Sequence, residues 1–300
     1  MSLNHKRVLI TGGSGFIGTN LQRKLKEQGA YFEVFDKSLG HDIENKKQFA
    51  TFIKKKFDVI FHLAGTSGSV TSNLDSGASF RINTFATVSL CELIIKHSPK
   101  TKLIISSSRL EYGKPFYLPV DEDHPTTPTT TYGLSKLLAT QMAIVYQKHQ
   151  GINVTILRTS NVYGPHKTKR FAGYNVINYF VDLALKNKEL TIYGDGEQMR
   201  DYIYINDFID AFILASVWDK SRGQIYNLGA GVGIKFKDMA RLIVKKVGRG
   251  KIKFVKWPED FKSIETGDYV SDISKIKKEL GFTPKFNFEK GIQETLKLEI

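Results

Sequence analysis

One short run near the amino terminus restricts the fold more than any other feature. Thr11-Gly12-Gly13-Ser14-Gly15-Phe16-Ile17-Gly18 follows the apolar run Arg7–Thr11 and leads into Gly18–Gln28, whose apolar residues have helical spacing. A strand, a glycine turn and a helix in that order open a doubly wound α/β sheet of the Rossmann type. The glycines have separable jobs. Gly12 permits the tight turn, Gly15 lets a pyrophosphate approach the backbone, and Gly18 lets the helix pack on the strand. The helix start then offers unpaired N–H groups and the positive end of its dipole to a phosphate.

The alternation continues down the chain. Strands are expected at Tyr31–Asp36, Asp58–Leu63, Lys102–Ser107 and Asn153–Arg158, because these are nearly continuous apolar runs of the kind buried parallel strands show. Helical spacing fills Lys46–Lys56, Phe80–His97 and Tyr132–Gln150 between them. The pattern predicts a doubly wound parallel sheet over residues 1–165. Beyond it, helices are expected at Asn175–Asn187, Asp207–Trp218 and Asp272–Leu280. Strands are expected at Glu189–Tyr193, Tyr202–Ile205 and Gln224–Leu228. The lysine-rich stretch before residue 270 shows little periodicity. Residues 166–300 are therefore expected to form a smaller, irregular substrate lobe, with segments near 200–230 rejoining the sheet.

Composition narrows the setting. Of 300 residues, 41% are hydrophobic and 25% charged, a globular balance. No apolar run reaches the roughly 18 residues that span a bilayer, and no membrane partner is expected. Cys91 is the single cysteine, so no internal disulfide forms and a reducing cytoplasm is expected. Its apolar surroundings suit packing. The net charge is +14, yet the lysines are scattered and not interleaved with aromatics, so a nucleic-acid partner is not expected. No metal site is expected either.

Two further sets of residues carry chemistry. Asp36 ends the second strand, where a carboxylate can accept both ribose hydroxyls of an adenosine and repel a 2′-phosphate, which favours NAD over NADP. Tyr132 and Lys136 are four residues apart and share a helix face. A free phenol has a pKa of about 10. A neighbouring ammonium lowers it, so that the tyrosinate can take a hydroxyl proton. Ser106-Ser107-Ser108 lies at the carboxyl end of a strand, where ligands of such sheets bind. The Pro125–Thr131 loop supplies helix caps ahead of Tyr132.

These residues resemble the extended short-chain dehydrogenase/reductase family, in its nucleotide-sugar epimerase and dehydratase branch. The glycine loop, Asp36, Asp42-Ile43, Phe61-His62-Leu63-Ala64-Gly65, Asn83, Ser106 to Ser108, Tyr112-Gly113, Tyr132 to Lys136, Arg158 with Asn161-Val162-Tyr163-Gly164-Pro165, Tyr193-Gly194-Asp195-Gly196 and Arg200-Asp201-Tyr202 fall in family order. The resemblance implies that Gly12, Gly15, Phe16, Ile17, Gly18, Asp36, Asp42, Ile43, Leu63, Ala64, Gly65 and Asn83, with Tyr132 and Lys136, hold NAD. It implies that Tyr132, Lys136 and Ser108 are catalytic, and that Ser108, Asn161 and Arg200 contact a nucleotide-sugar substrate. His62 is expected to be structural. A homodimer built on the helices around Phe80–His97 and Tyr132–Gln150 is also implied.

Two departures refine this expectation. The family's dehydratases carry an acidic pair directly after the Ser108 position, and its decarboxylases a glutamate two places on. Here those places hold Arg109 and Leu110, and Glu111 is one residue out of register. Redox at C4 is therefore expected, as a 4-epimerase or 4-dehydrogenase, or a 4-keto-sugar reductase in reverse. A 4,6-dehydratase or a non-catalytic NAD- or RNA-binding module is less favoured. Many members that use UDP-sugars have Arg-Pro-Gly-Asp where Glu265-Thr266-Gly267-Asp268 stands, which leaves GDP-, CDP- and dTDP-sugars open.

Overall fold

The structure, a computed structural model, describes residues 3–66, 75–165 and 175–299. In the first half, β1 (Arg7–Thr11), α1 (Phe16–Glu27), β2 (Tyr31–Phe35), α2 (Lys46–Ile53), β3 (Val59–His62), α3 (Ser76–His97), β4 (Lys102–Ser108), α4 (Thr131–Gln150) and β5 (Asn153–Thr159) follow in turn. After them come β6 (Asn161–Tyr163), α5 (Val176–Leu185), β7 (Glu189–Tyr193), β8 (Met199–Tyr204), α6 (Ile205–Val217) and β9 (Ile225–Leu228). The chain continues through β10 (Gly233–Lys235), α7 (Phe236–Val247), β11 (Lys251–Val255), α8 (Ser274–Leu280) and α9 (Phe288–Glu299).

The main sheet has the order β2-β1-β3-β4-β5-β9, and every pair is parallel. The strand order reverses between β1 and β3, which opens a crevice at their carboxyl ends. Helices cover both faces, so neighbouring strand residues enter different cores. Val8, Ile10, Phe61 and Leu157 join α1 and α6 on one face, with Leu21, Leu25, Phe208 and Phe212. Leu9, Ile60, Leu103 and Ile156 join α2 and α3 on the other, with Phe49, Leu90 and Ile94. Two-sided burial explains the unbroken apolar runs of these strands. Helix α3 is long and apolar enough by composition to cross a bilayer, but half of its most apolar stretch is buried, with Leu90, Cys91 and Ile94 in the second core.

Two expectations for the carboxyl-terminal half need correction. The stretch expected to be irregular contains α7 and β11. Phe236, Met239, Ala240 and Ile243 form an apolar stripe at i, i+3, i+4 and i+7 spacing, and the lysines interspersed along α7 obscured it in the sequence. β11 pairs in parallel with β7. Of the segments near 200–230, β9 joins the main sheet beside β5, whereas β8 lies between β10 and β6 in a separate three-stranded sheet. The chain leaves the main sheet at Ser160, and β6 carries β8 with it by parallel pairing.

Phe212 is fully buried, stacks on Phe208 at 4.4 Å and faces Phe61 at 6.3 Å. Phe212→Ala should destabilise the fold by about 4 kcal/mol, measured by urea unfolding.

Candidate active site

The crevice begins at the glycine turn. Gly12 has φ of +71°, and a Cβ there would lie 2.6 Å from the backbone nitrogen of Ala64. The turn therefore presses against the end of β3. A Cβ on Gly18 would lie 2.4 Å from the Gly13 carbonyl oxygen, so α1 packs directly on the turn. Gly15 differs: within 4 Å its Cβ would meet only the Gly12 carbonyl, at 3.2 Å. Gly15 also starts α1 without a side-chain cap. Open space beside uncapped N–H groups suits a pyrophosphate. Phe16 and Ile17 follow in the first turn of α1 and pack, partly buried, against the core.

Asp36 is held ready at the end of β2. One carboxylate oxygen accepts from the Ser38 N–H at 2.9 Å, and the other from the Ser14 N–H at 3.0 Å. Burial raises its pKa, but these hydrogen bonds outweigh it, and the carboxyl stays below its ordinary value. It is thus an anion tied to the glycine loop. Lys37 points elsewhere, 3.6 Å from Asp42. Asp42 accepts from the Glu44 N–H at 2.9 Å, and Ile43 is buried in the second core. Leu63 and Ala64 are partly buried at the end of β3, and Gly65 is exposed beside them. Asn83 is fully engaged with protein, accepting from the Thr66 N–H at 3.0 Å and donating to Ser135 Oγ at 2.9 Å. It ties the loop after β3 to α4.

Tyr132, Lys136 and Ser108 gather at the carboxyl end of β4. Thr130 caps α4, its hydroxyl accepting from the Gly133 N–H at 3.1 Å. Tyr132 is half-buried, and burial pushes its phenol up to about 12 even though the Ser108 hydroxyl beside it lowers it. Lys136 donates to the Ser106 carbonyl at 2.6 Å, and burial brings its amine down to about 8. His62 is buried between Thr11 and Thr87, 2.8 and 3.1 Å from their hydroxyls. Burial and the nearby Lys136 push it down to about 3, so it stays neutral.

Sequence reasoning missed a buried network beneath this set. Glu111 is fully buried and accepts from Ser107, from Thr140 at 2.8 Å and from Arg158 at 2.7 Å. Arg158 also donates to the Tyr112 hydroxyl at 3.0 Å, which donates to Asn227 at 2.7 Å. A signal was present: an arginine inside the apolar strand run Ile156-Leu157-Arg158 needs a buried acid.

A second group of polar side chains joins β6 and the turn after β4 to the carboxyl-terminal half. Asn161 donates to the Asp201 carbonyl at 3.0 Å. The buried Asp201 carboxylate accepts from the N–H groups of Ala230, Gly231 and Ser271. Arg200 donates to the Met199 carbonyl at 2.8 Å and pairs with Glu265. Arg109 donates to Thr266 at 3.1 Å and lies 5.1 Å over the Tyr269 ring. A cavity of about 850 Å³ opens elsewhere, among Lys6, Asp58, Lys100 and Lys102 at the amino ends of the strands, away from all of these groups.

Residues 8–229 match the NAD dependent epimerase/dehydratase family, and the chain belongs to that family. A putative UDP-glucose 4-epimerase of Methanocaldococcus jannaschii is 32% identical, covering 96% of this chain and 97% of that protein. Among solved structures, the UDP-glucose 4-epimerase of Thermotoga maritima, determined with UDP-glucose, aligns at a TM-score of 0.88 and 26% identity over 98% of both chains. The UDP-glucose 4-epimerase of Thermus thermophilus, determined with NAD, aligns at 0.87 and 25% identity, covering 97% of this chain and 98% of that one. NAD is the cofactor of the family, and the open face at Gly15 together with the oriented Asp36 carboxylate fits it.

The close contact at Gly18 gives a direct check. Gly18→Ala should cost about 2 kcal/mol in thermal or urea unfolding and weaken NAD binding, read by isothermal titration calorimetry.

Proposed function

We propose that this chain interconverts epimers at C4 of a nucleotide-activated sugar through a 4-keto intermediate. The observation that carries this is the convergence of Tyr132, Lys136 and Ser108 on one strand end beside the glycine loop, with Arg109 and Leu110 in place of acids after the serine. In this reading Ser108 hydrogen-bonds the reacting oxygen and Tyr132 takes its proton. Lys136, anchored on Ser106, supplies the positive charge that stabilises the tyrosinate. Bound NAD⁺ supplies the hydride acceptor and a second positive charge. Turnover should fall above about pH 8, where Lys136 loses its proton.

The remaining residues divide into two halves. Residues 1–165, with β9, hold the cofactor through the glycine loop, Asp36, Asp42, Ile43, Leu63, Ala64 and Gly65. Residues 166–300 mainly hold the substrate, Arg200 from this half and Asn161 from the first facing its diphosphate. A homodimer is proposed through α3 and α4, whose exposed Phe85, Leu134, Leu138 and Val145 offer an apolar face. Light scattering that gives a monomer mass would overturn it.

The test is a panel of UDP-, GDP-, CDP- and dTDP-sugars, with products read by NMR and the bound cofactor identified after denaturation. A 4-epimerase inverts C4 with no net NADH. Accumulation of NADH and a keto sugar would instead mark a 4-dehydrogenase. Tyr132→Phe should lower turnover by about three orders of magnitude while NAD still binds, and near-normal turnover in that variant would sink the mechanism. Glu265 competes for the Arg200 guanidinium. Glu265→Ala should therefore tighten nucleoside-diphosphate binding about tenfold, measured by calorimetry. Unchanged or weaker binding would remove Arg200 from the diphosphate site.

A further inference from the structure

The buried carboxylate of Glu111 belongs to none of the roles above, yet it touches both elements that carry the proton-transfer set. On the strand side it accepts from the Ser107 hydroxyl. Ser107 lies between Ser106, whose carbonyl receives the Lys136 ammonium, and Ser108. On the helix side Glu111 accepts from Thr140 at 2.8 Å, one turn beyond Lys136 in α4. Its other oxygen takes the Arg158 Nε at 2.7 Å, and Thr159 donates to the Ser107 carbonyl at 2.8 Å. The last residues of β4 are thus fixed from α4 and from β5 at once, with Glu111 at the crossing.

We propose that Glu111 is a positioning residue: it clamps the serine-bearing end of β4 to the lysine-bearing face of α4 and places a negative charge beneath both. This rests on Tyr132, Lys136 and Ser108 being the proton-transfer set. Among the described residues, the charged and titratable groups facing that set are few. From β3 comes His62, which is neutral. From the turn after β4 come Glu111 and the Tyr112 phenol, and from β5 comes Arg158. Arg158 is bound to Glu111, so the carboxylate governs how much of its positive charge reaches α4. The same carboxylate favours the charged form of Lys136 and opposes ionisation of Tyr132. Removing the charge while keeping the shape must therefore move both groups in one direction, toward lower pH.

The experiment uses the intact NAD-loaded protein. Glu111→Gln keeps an acceptor for Ser107 and Thr140 but leaves Arg158 uncompensated. NMR of lysine methylene groups, with Lys136 identified through Lys136→Met, should show its titration midpoint lowered by about one pH unit in Glu111→Gln. The alkaline limb of the rate profile should shift with it. An unchanged Lys136 midpoint would overturn the electrostatic half of the proposal. Thr140→Val keeps the charge and removes the tie to α4. It should lower kcat about tenfold with KM little changed and leave the Lys136 midpoint in place. Wild-type kcat in Thr140→Val would overturn the clamp, and this variant still decides the matter if Glu111→Gln does not fold. Absence of turnover on every nucleotide sugar would count against the proton-transfer set itself, whereas the Lys136 titration reads the effect of Glu111 without any substrate.

Discussion

A charge with no access to water sits at the centre of this fold, and the ends of three elements are arranged around it. Glu111 is fully buried, and an isolated carboxylate there would be strongly unfavourable. Arg158 balances the charge, and Ser107 and Thr140 satisfy the remaining lone pairs. A buried pair of this kind adds little net stability compared with well-packed apolar residues. What it supplies is geometry: each partner's hydrogen-bond directions leave β4, β5 and α4 few alternative positions. The serine cluster and Lys136 therefore meet at a fixed separation, which apolar contacts alone would specify less sharply.

The parallel sheet adds a second constraint. Because its strands all run one way, every carboxyl end opens on the same edge. The glycine turn after β1, Asp36 after β2, Leu63 to Gly65 after β3 and Ser108 at the end of β4 come from four separate stretches of sequence yet line one crevice. The ties that close the crevice run through side chains. Asp36 holds the Ser14 N–H, and Asn83 joins Thr66 to Ser135. Such bonds set loop positions that the sheet itself leaves free.

That division explains what the sequence disclosed. β1 lies where the pattern put it, and the other main-sheet strands lie within a residue or two, because burial on both faces writes itself into consecutive apolar residues. The glycine turn before α1 and the helix shared by Tyr132 and Lys136 were legible because each rests on a short local spacing. The partners of Glu111, Arg200 and Asp201 were not. Glu111 meets Arg158 across 47 positions, Arg200 meets Glu265 across 65, and Asp201 meets Ser271 across 70. No local period encodes such pairings. Helix α7 was missed for the opposite reason: its period was present, but it lies within a lysine-rich stretch.

The pairing of Arg200 with Glu265 changes the weight given to one departure from the family pattern. In the sequence, Glu265 looks like the loss of a cation. In the structure it is a partner for a cation that remains, and Arg109 lies near the same cluster with its own pKa brought down to about 10 by burial and by Arg200. Two guanidiniums and one carboxylate leave the cluster with a net positive charge in a poorly hydrated place. An anion entering there gains from both arginines but must displace Glu265 from Arg200 to use it fully. By Coulomb's law that exchange costs less the more negative charge the entering anion carries. An internal carboxylate thus sits beside the guanidinium on each side of the crevice, Glu265 on Arg200 and Glu111 on Arg158.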